Sequence, residues 1–395
     1  MGRRRHIRII VLVLVLLAGG VLRSDMPYPA SSFEGVAAPH LFSIAAWEAK
    51  NLIDMGKARI GRLFDRSPAE DRRAVEDYYH QAQQIYRLEW ERGQRAGNRG
   101  QLEKELARAK TARARLEDRA EAVVEGQIGS VLAQEGLSLL RGGRPLLPPL
   151  AFEFDSPPHI LVTSPRERIA LKKVALLGPG LTLKEIEGIE ARVERLGDSA
   201  LVERLGGIAT YPSLVPETST LEDALSTIAH EWLHHYLFFR PLGRGYGQNR
   251  EMTTINETAA SMGGKEIAQE VLRRYWGKEP KKEEEKPPGA FDFNREMHSI
   301  RLGVDAYLAR GQVEEAERFM EERRNYLLQN GYYIRRLNQA YFAYHGTYAD
   351  TPASTSPIGP QLKTLRQRSA SLGEFIRMMS QISSYEELKS MVGEG

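Results

Sequence analysis

The chain has 395 residues and carries 55 basic against 52 acidic side chains, a formal charge of +3. That excess sits in the amino-terminal tail, where Arg3, Arg4, Arg5, Arg8 and Arg23 occur without an acid, so residues 25–395 carry −2, which argues against a nucleic-acid-binding body. Cysteine is absent, which excludes disulfides, thiolate metal sites and cysteine nucleophiles. Four of those arginines precede an apolar run, Ile9–Leu22. As a helix the run would span about 21 Å, short of a ~30 Å hydrocarbon core. Snorkelling arginines and local thinning can rescue a short span, and Val21-Leu22 directly after Gly20 is a poor cleavage site. Residues 1–24 are therefore read as a signal anchor, a transmembrane helix, in preference to a cleaved signal peptide. The expected location is the cell membrane with the catalytic region extracytoplasmic.

Residues 40–64 read as one helix. Ser67-Pro68-Ala69-Glu70 then sets a cap, a first-turn proline and a reciprocal glutamate, followed by the apolar stripe Val75, Tyr78, Ala82, Ile85. Three glycines in 93–100 break this helix. Beyond them Leu102, Leu106, Ala109, Leu116, Ala120 and Val123 form a heptad-like seam interrupted at Arg113. The pattern predicts a helical hairpin across 25–141, a packing or spacer element with a partner-binding coiled coil as the alternative.

Gly142–Pro145 and Pro148-Pro149 mark a boundary. Strand candidates follow at Ala151–Phe154, His159–Thr163 and Ile169–Leu177, then a helix from the Thr182 cap to about Arg195, and a further strand candidate at Gly206–Pro212. Residues 150–277 are read as the catalytic core, 278–289 as a charged, Pro-rich linker, and 290–395 as a helical carboxy-terminal region with helices at Val313–Gln329, Tyr332–His345 and Ser371–Val392. The fold class is thus mainly α (α+β), a small sheet flanked by helices.

The chemistry concentrates in Ser219–Phe239, an apolar helix holding three of the nine histidines within His230-Glu231-Trp232-Leu233-His234-His235. His230 and His234 lie one turn apart, so both rings can face one cation. Glu231 is rotated roughly 100° away and can act on a bound water without being a ligand. Zinc suits two neutral imidazoles and one carboxylate with an open fourth position. The third donor must come from elsewhere. Glu257, 23 residues after His234, lies on a second helical stripe beside Ala260, Ser261 and Gly264, small enough for two helices to approach closely. His235 is read as packing, and Gly243–Gly247 as a turn because it follows a helix rather than a strand.

These residues resemble the gluzincin clan of zinc metallopeptidases, whose two motifs match His230-Glu231-Trp232-Leu233-His234 and Asn256-Glu257. The likeness covers about residues 205–275, and the chain as a whole resembles an uncharacterised, membrane-anchored bacterial group of predicted peptidases. The resemblance implies a zincin-like core, Zn2+ held by His230, His234 and Glu257, Glu231 as general base, and an upstream edge strand, here Gly206–Pro212, that holds extended peptide. It departs at Ser261, where many members have an Asp bonded to a zinc-binding His, and at Gly207–Tyr211, which lacks the acid of the aminopeptidase branch. The expected function is a membrane-associated, zinc-dependent peptidase acting on a peptide or protein substrate. The alternative is a non-enzymatic envelope scaffold with a structural metal site. Tyr332, Tyr333, Tyr341, Tyr344 and His345 are candidates to stabilise the oxyanion, with no choice among them.

Overall fold

The computed structural model describes residues 29, 31–61, 67–94, 99–138, 146–217, 220–279 and 290–393, with the backbone alone at 53–61, 93, 94 and 99. Helix α1 (Phe33–Ala37) and a 3₁₀ turn (Ala38–His40) precede α2 (Ile44–Gly61). This helix starts later than the sequence predicts because residues 40–42 run along the sheet edge. There Gly178 N donates to His40 O at 2.7 Å and Phe42 N donates to Leu176 O at 2.9 Å.

Helix α3 (Pro68–Gln94) begins at the expected capping box, with Glu70 N donating to Ser67 Oγ and Ser67 N to Glu70 Oε2. Its stripe, Val75, Tyr78, Ala82 and Ile85, is buried. The hairpin's returning arm is two helices, α4 (Arg99–Ala114) and α5 (Glu117–Gln134), so the seam is not a continuous coiled coil. The break follows Arg113, which turns inward to an ion pair with Glu217 at 2.7 Å. The Gly-rich turn at 95–98, the boundary glycines and Pro145, and 280–289 of the linker lie outside the described residues.

Strands β1 (Phe152–Asp155), β2 (His159–Pro165) and β3 (Lys173–Leu177) fall within or beside their predicted segments, and α6 (Leu183–Glu194) starts from a complete Thr182 capping box. Strand β4 (Asp198–Arg204) has no counterpart among the predictions. It pairs antiparallel with β2, which pairs antiparallel with β3 on its other side. The final strand, β5 (Ser213–Pro216), runs parallel to β1. The predicted strand Gly206–Pro212 is a loop with one bridge, Ile208 to Leu214. Two glycines and a proline in seven residues do not sustain a ladder.

Helix α7 (Leu221–Phe238), the short α8 (Pro241–Arg244) and α9 (Arg250–Trp276) follow. The carboxy-terminal region holds α10 (Phe293–Ala309), α11 (Val313–Gln329), α12 (Gln339–His345), α13 (Ile358–Arg368), α14 (Leu372–Ser380) and α15 (Tyr385–Val392). The predicted helix from Tyr332 begins only at Gln339. Before it, Arg335 and Arg336 are drawn out to the buried Glu190, with Arg335 Nη1 donating to Glu190 Oε2 at 2.8 Å. The stretch Ser371–Val392 is two helices, the second capped by Ser384.

One core joins these regions. Val75, Tyr78 and Ile128 share it with Trp232, Leu233 and Ile255, and with Leu362 and Phe375. Among the described residues no helix is long and apolar enough to cross a membrane. This corrects the expectation of a transmembrane helix. The run Ile9–Leu22 that prompted it lies outside the described residues.

Helices α7 and α9 are antiparallel, since Gly264 abuts Ser226 and His230 while Asn256 reaches His234. A Cβ on Gly264 would lie 2.8 Å from Ser226 O, a backbone atom that cannot swing aside. On Gly263 it would meet only the movable ends of Leu233 and Ile376, at 2.8 and 2.9 Å. Alanine gains about 1 kcal/mol in helix propensity, while forced overpacking costs about 1–3 kcal/mol. Gly264→Ala is therefore expected to destabilise the protein by up to about 2 kcal/mol and Gly263→Ala to be close to neutral, measured by urea unfolding. Equal losses would contradict this packing.

Candidate metal centre

Thr220 starts α7 by accepting a hydrogen bond from Asp223 N, and Ala224, Leu225, Ile228, Trp232 and Leu233 bury the helix on more than one side. Trp232 Nε1 donates to Pro148 O at 2.9 Å, which fixes the helix's rotation. Asn249 caps α9, and Gly277 at φ 61° ends it. With both helices placed, His230, His234 and Glu257 face one another.

The Nε2 atoms of His230 and His234 are 3.0 Å apart. Glu257 Oε2 lies 3.5 Å from each of them. It is buried and has no hydrogen-bond partner, because 3.5 Å is at the limit of a useful bond. Bonds of about 2.0–2.1 Å to a tetrahedral ion set the donor atoms about 3.3–3.4 Å apart. The observed triangle of 3.0, 3.5 and 3.5 Å therefore fits one ion without moving the backbone. The donor types, two imidazole nitrogens and one carboxylate oxygen, suit zinc.

The surrounding groups fix how these donors are presented. His234 Nδ1 donates to Asn256 Oδ1 at 2.8 Å, and Asn256 Nδ2 to Leu242 O at 3.5 Å. This leaves Nε2 as the lone-pair nitrogen of neutral His234. Tyr246 Oη donates to Glu257 Oε1 at 2.6 Å. Glu231 brings its carboxylate within 4.8 Å of the two imidazoles. Glu257 is the better third donor, since its orphaned oxygen is 3.5 Å from both rings. Burial raises the Glu231 carboxyl above its usual range, with His230 and His234 opposing.

The loop at 207–211 lies against Glu231. A Cβ on Gly207 would come within 2.6 Å of Glu231 Oε1 and of Thr227 Cγ2, so a larger residue here would push on the Glu231 and Thr227 side chains. His235 points to this loop, 6.0 Å from the Tyr211 ring. Burial pulls it down to about 4, against polar contacts with the backbone of Ala209 and Thr210.

Ser261, at the position where an Asp was missed, donates to Asp350 Oδ2 at 2.9 Å. The residue orienting His234 is instead Asn256. Among the oxyanion candidates, Tyr332 stacks on Phe293 at 4.7 Å and Tyr333 is 73% exposed. Tyr341 packs beside Val162 and Leu201, with its ring tilted 40° against that of His345. Tyr344 is raised by burial and by the charges of Glu203, Glu257 and Glu231. Tyr348, which the sequence reading omits, has its ring 6.1 Å from His230, and burial followed by the charge of Glu257 raises it. Tyr246 was also missed. Its only sequence signal is an aromatic hydroxyl set between Gly245 and Gly247 in the connection of the two motif helices.

In the metal-free protein burial would depress His234, but the charge and contact of Glu257 outweigh it and lift His234 to about 9. Burial likewise works to raise Glu257, yet His234 and the contacts to both imidazoles hold it well below the carboxylate range. The raised His234 stabilises the fold fully below about pH 6.5 and loses that contribution as pH rises through about 9. Imidazole NMR of the metal-free protein should give a His234 midpoint near 9, falling in Glu257→Gln, where burial is opposed only by the Glu231 charge and the Asn256 hydrogen bond. A midpoint at or below 6.5 in the parent chain would contradict the pairing.

Comparison of the chain with protein-family models, with curated proteins and with solved structures finds no match.

Proposed function

We propose that the protein is a zinc-dependent peptidase with a zincin-like core built around α7 and α9. His230, His234 and Glu257 would hold the metal and Glu231 would serve as general base. The observation that carries this reading is the tight triangle of His230 Nε2, His234 Nε2 and the orphaned Glu257 Oε2, with a second buried carboxylate beside it. The order His, His, Glu and the Asn256-Glu257 pair add the resemblance to gluzincins.

A bound zinc ion would bring the pKa of a coordinated water toward ~7 and polarise a carbonyl. Glu231, whose carboxyl is raised by burial, takes the proton of the attacking water and passes it to the leaving amine. Tyr348 stands beside His230 and is kept protonated by burial and by the Glu257 charge. We propose it as the hydroxyl that donates to the developing oxyanion. A purely structural metal site uses four protein donors and needs no base. Glu231 next to a three-donor set favours the peptidase.

Glu231→Gln should lower kcat for cleavage of unstructured peptides by about 10²–10⁴, with KM and zinc content little changed. Peptide cleavage followed by mass spectrometry, with zinc measured on the same samples, makes the test. Undiminished cleavage by the variant, or none by the zinc-loaded parent, would contradict it.

A further inference from the structure

We infer that Tyr246 is a positioning residue that ties down one oxygen of Glu257 and so limits this carboxylate to a single ligating oxygen. The inference rests on the metal reading given above and concerns how the fourth coordination position stays open. A carboxylate can bind a cation through one oxygen or both. With both Glu257 oxygens on the ion, the water would share it with four protein donor atoms in a crowded five-coordinate shell instead of completing a four-coordinate one. The two oxygens are held in different ways. Oε2 lies 3.5 Å from each imidazole nitrogen and has no hydrogen bond. Oε1 accepts the Tyr246 hydroxyl at 2.6 Å, within the range of a strong hydroxyl–carboxylate bond.

The turn that carries Tyr246 is fixed on both sides. Tyr246 N donates to Gly243 O at 3.1 Å, Gly247 N to Thr253 Oγ1 at 3.1 Å, and Gln248 Nε2 to Arg244 O at 2.7 Å. A Cβ on Gly245 would come within 2.6 Å of Met252 Cε, so the turn lies flat on α9. The Tyr246 ring is half exposed, while its hydroxyl reaches inward to a buried carboxylate.

Cobalt(II) in place of zinc tests this directly, because four-coordinate cobalt absorbs visible light several-fold more strongly than five-coordinate cobalt. The parent chain should bind one Co2+ with the intense four-coordinate spectrum. Tyr246→Phe removes only the hydroxyl. It should bind one Co2+ with a several-fold weaker, five-coordinate spectrum, and its zinc form should lose about 10–100-fold in kcat with KM little changed. Circular dichroism and urea unfolding verify that the variant folds. Identical cobalt spectra in parent and variant would overturn the role of Tyr246 while leaving the metal reading standing. A parent chain that binds no cobalt or zinc would overturn both.

Discussion

The structure is governed by the placing of two imidazoles and two carboxylates in the buried seam between α7 and α9. Desolvating such groups costs several kcal/mol per ion, and removing one partner of a buried pair costs about 3–5 kcal/mol. These four are tolerable together only because each charge finds another within a few ångströms. That closeness depends on small residues. Gly264 lets the α9 backbone reach His230, and Gly207 lets the loop at 207–211 pass over Glu231. The same electrostatic demand accounts for the donors at the rim, Asn256 on His234 and Tyr246 on Glu257.

Elements far along the chain hold this seam in place. The amino-terminal helix α2 sends Glu48 to accept from Tyr211 N at 3.0 Å, and Trp47 Nε1 donates to Asp155 at 2.6 Å, so both the loop and β1 are tied to it. From the carboxy-terminal region, Ala349 N donates to Thr258 Oγ1 at 2.9 Å, and Asp350 receives both Ser261 and Lys265. These contacts lock residues 348–350 onto α9 and bring Tyr348 beside His230. The Arg113–Glu217 pair ties the helical hairpin to the segment just before α7. The three regions that the sequence separates thus converge on one site through named bonds and a shared core.

What could be read from sequence is what local chemistry decides. The caps at Ser67 and Thr182 and the stripe Val75–Ile85 are set by neighbouring residues and stand where expected. His230 and His234 are brought together by helical spacing alone, and Glu257 by the small face of the next helix. Strand β4 was hidden because Asp198–Arg204 has only Ala200–Val202 as an apolar run and owes its position to pairing with β2. The helix expected from Tyr332 failed because a distant buried charge, Glu190, outbids local propensity for Arg335 and Arg336. Tyr246 and Tyr348 were invisible for the same reason. Their positions are set by tertiary contacts to Glu257 and His230, with no spacing rule to announce them.

We propose that His230, His234 and Glu257 surround one divalent ion and leave a position for water. X-ray absorption at the zinc edge of the purified chain would resolve that shell. The expected result is one zinc per chain, bound to two imidazole nitrogens and two oxygens at about 2.0–2.1 Å, with occupancy lost in His230→Ala, His234→Ala and Glu257→Ala. A chain that takes up no zinc, or keeps it fully in all three variants, would contradict it.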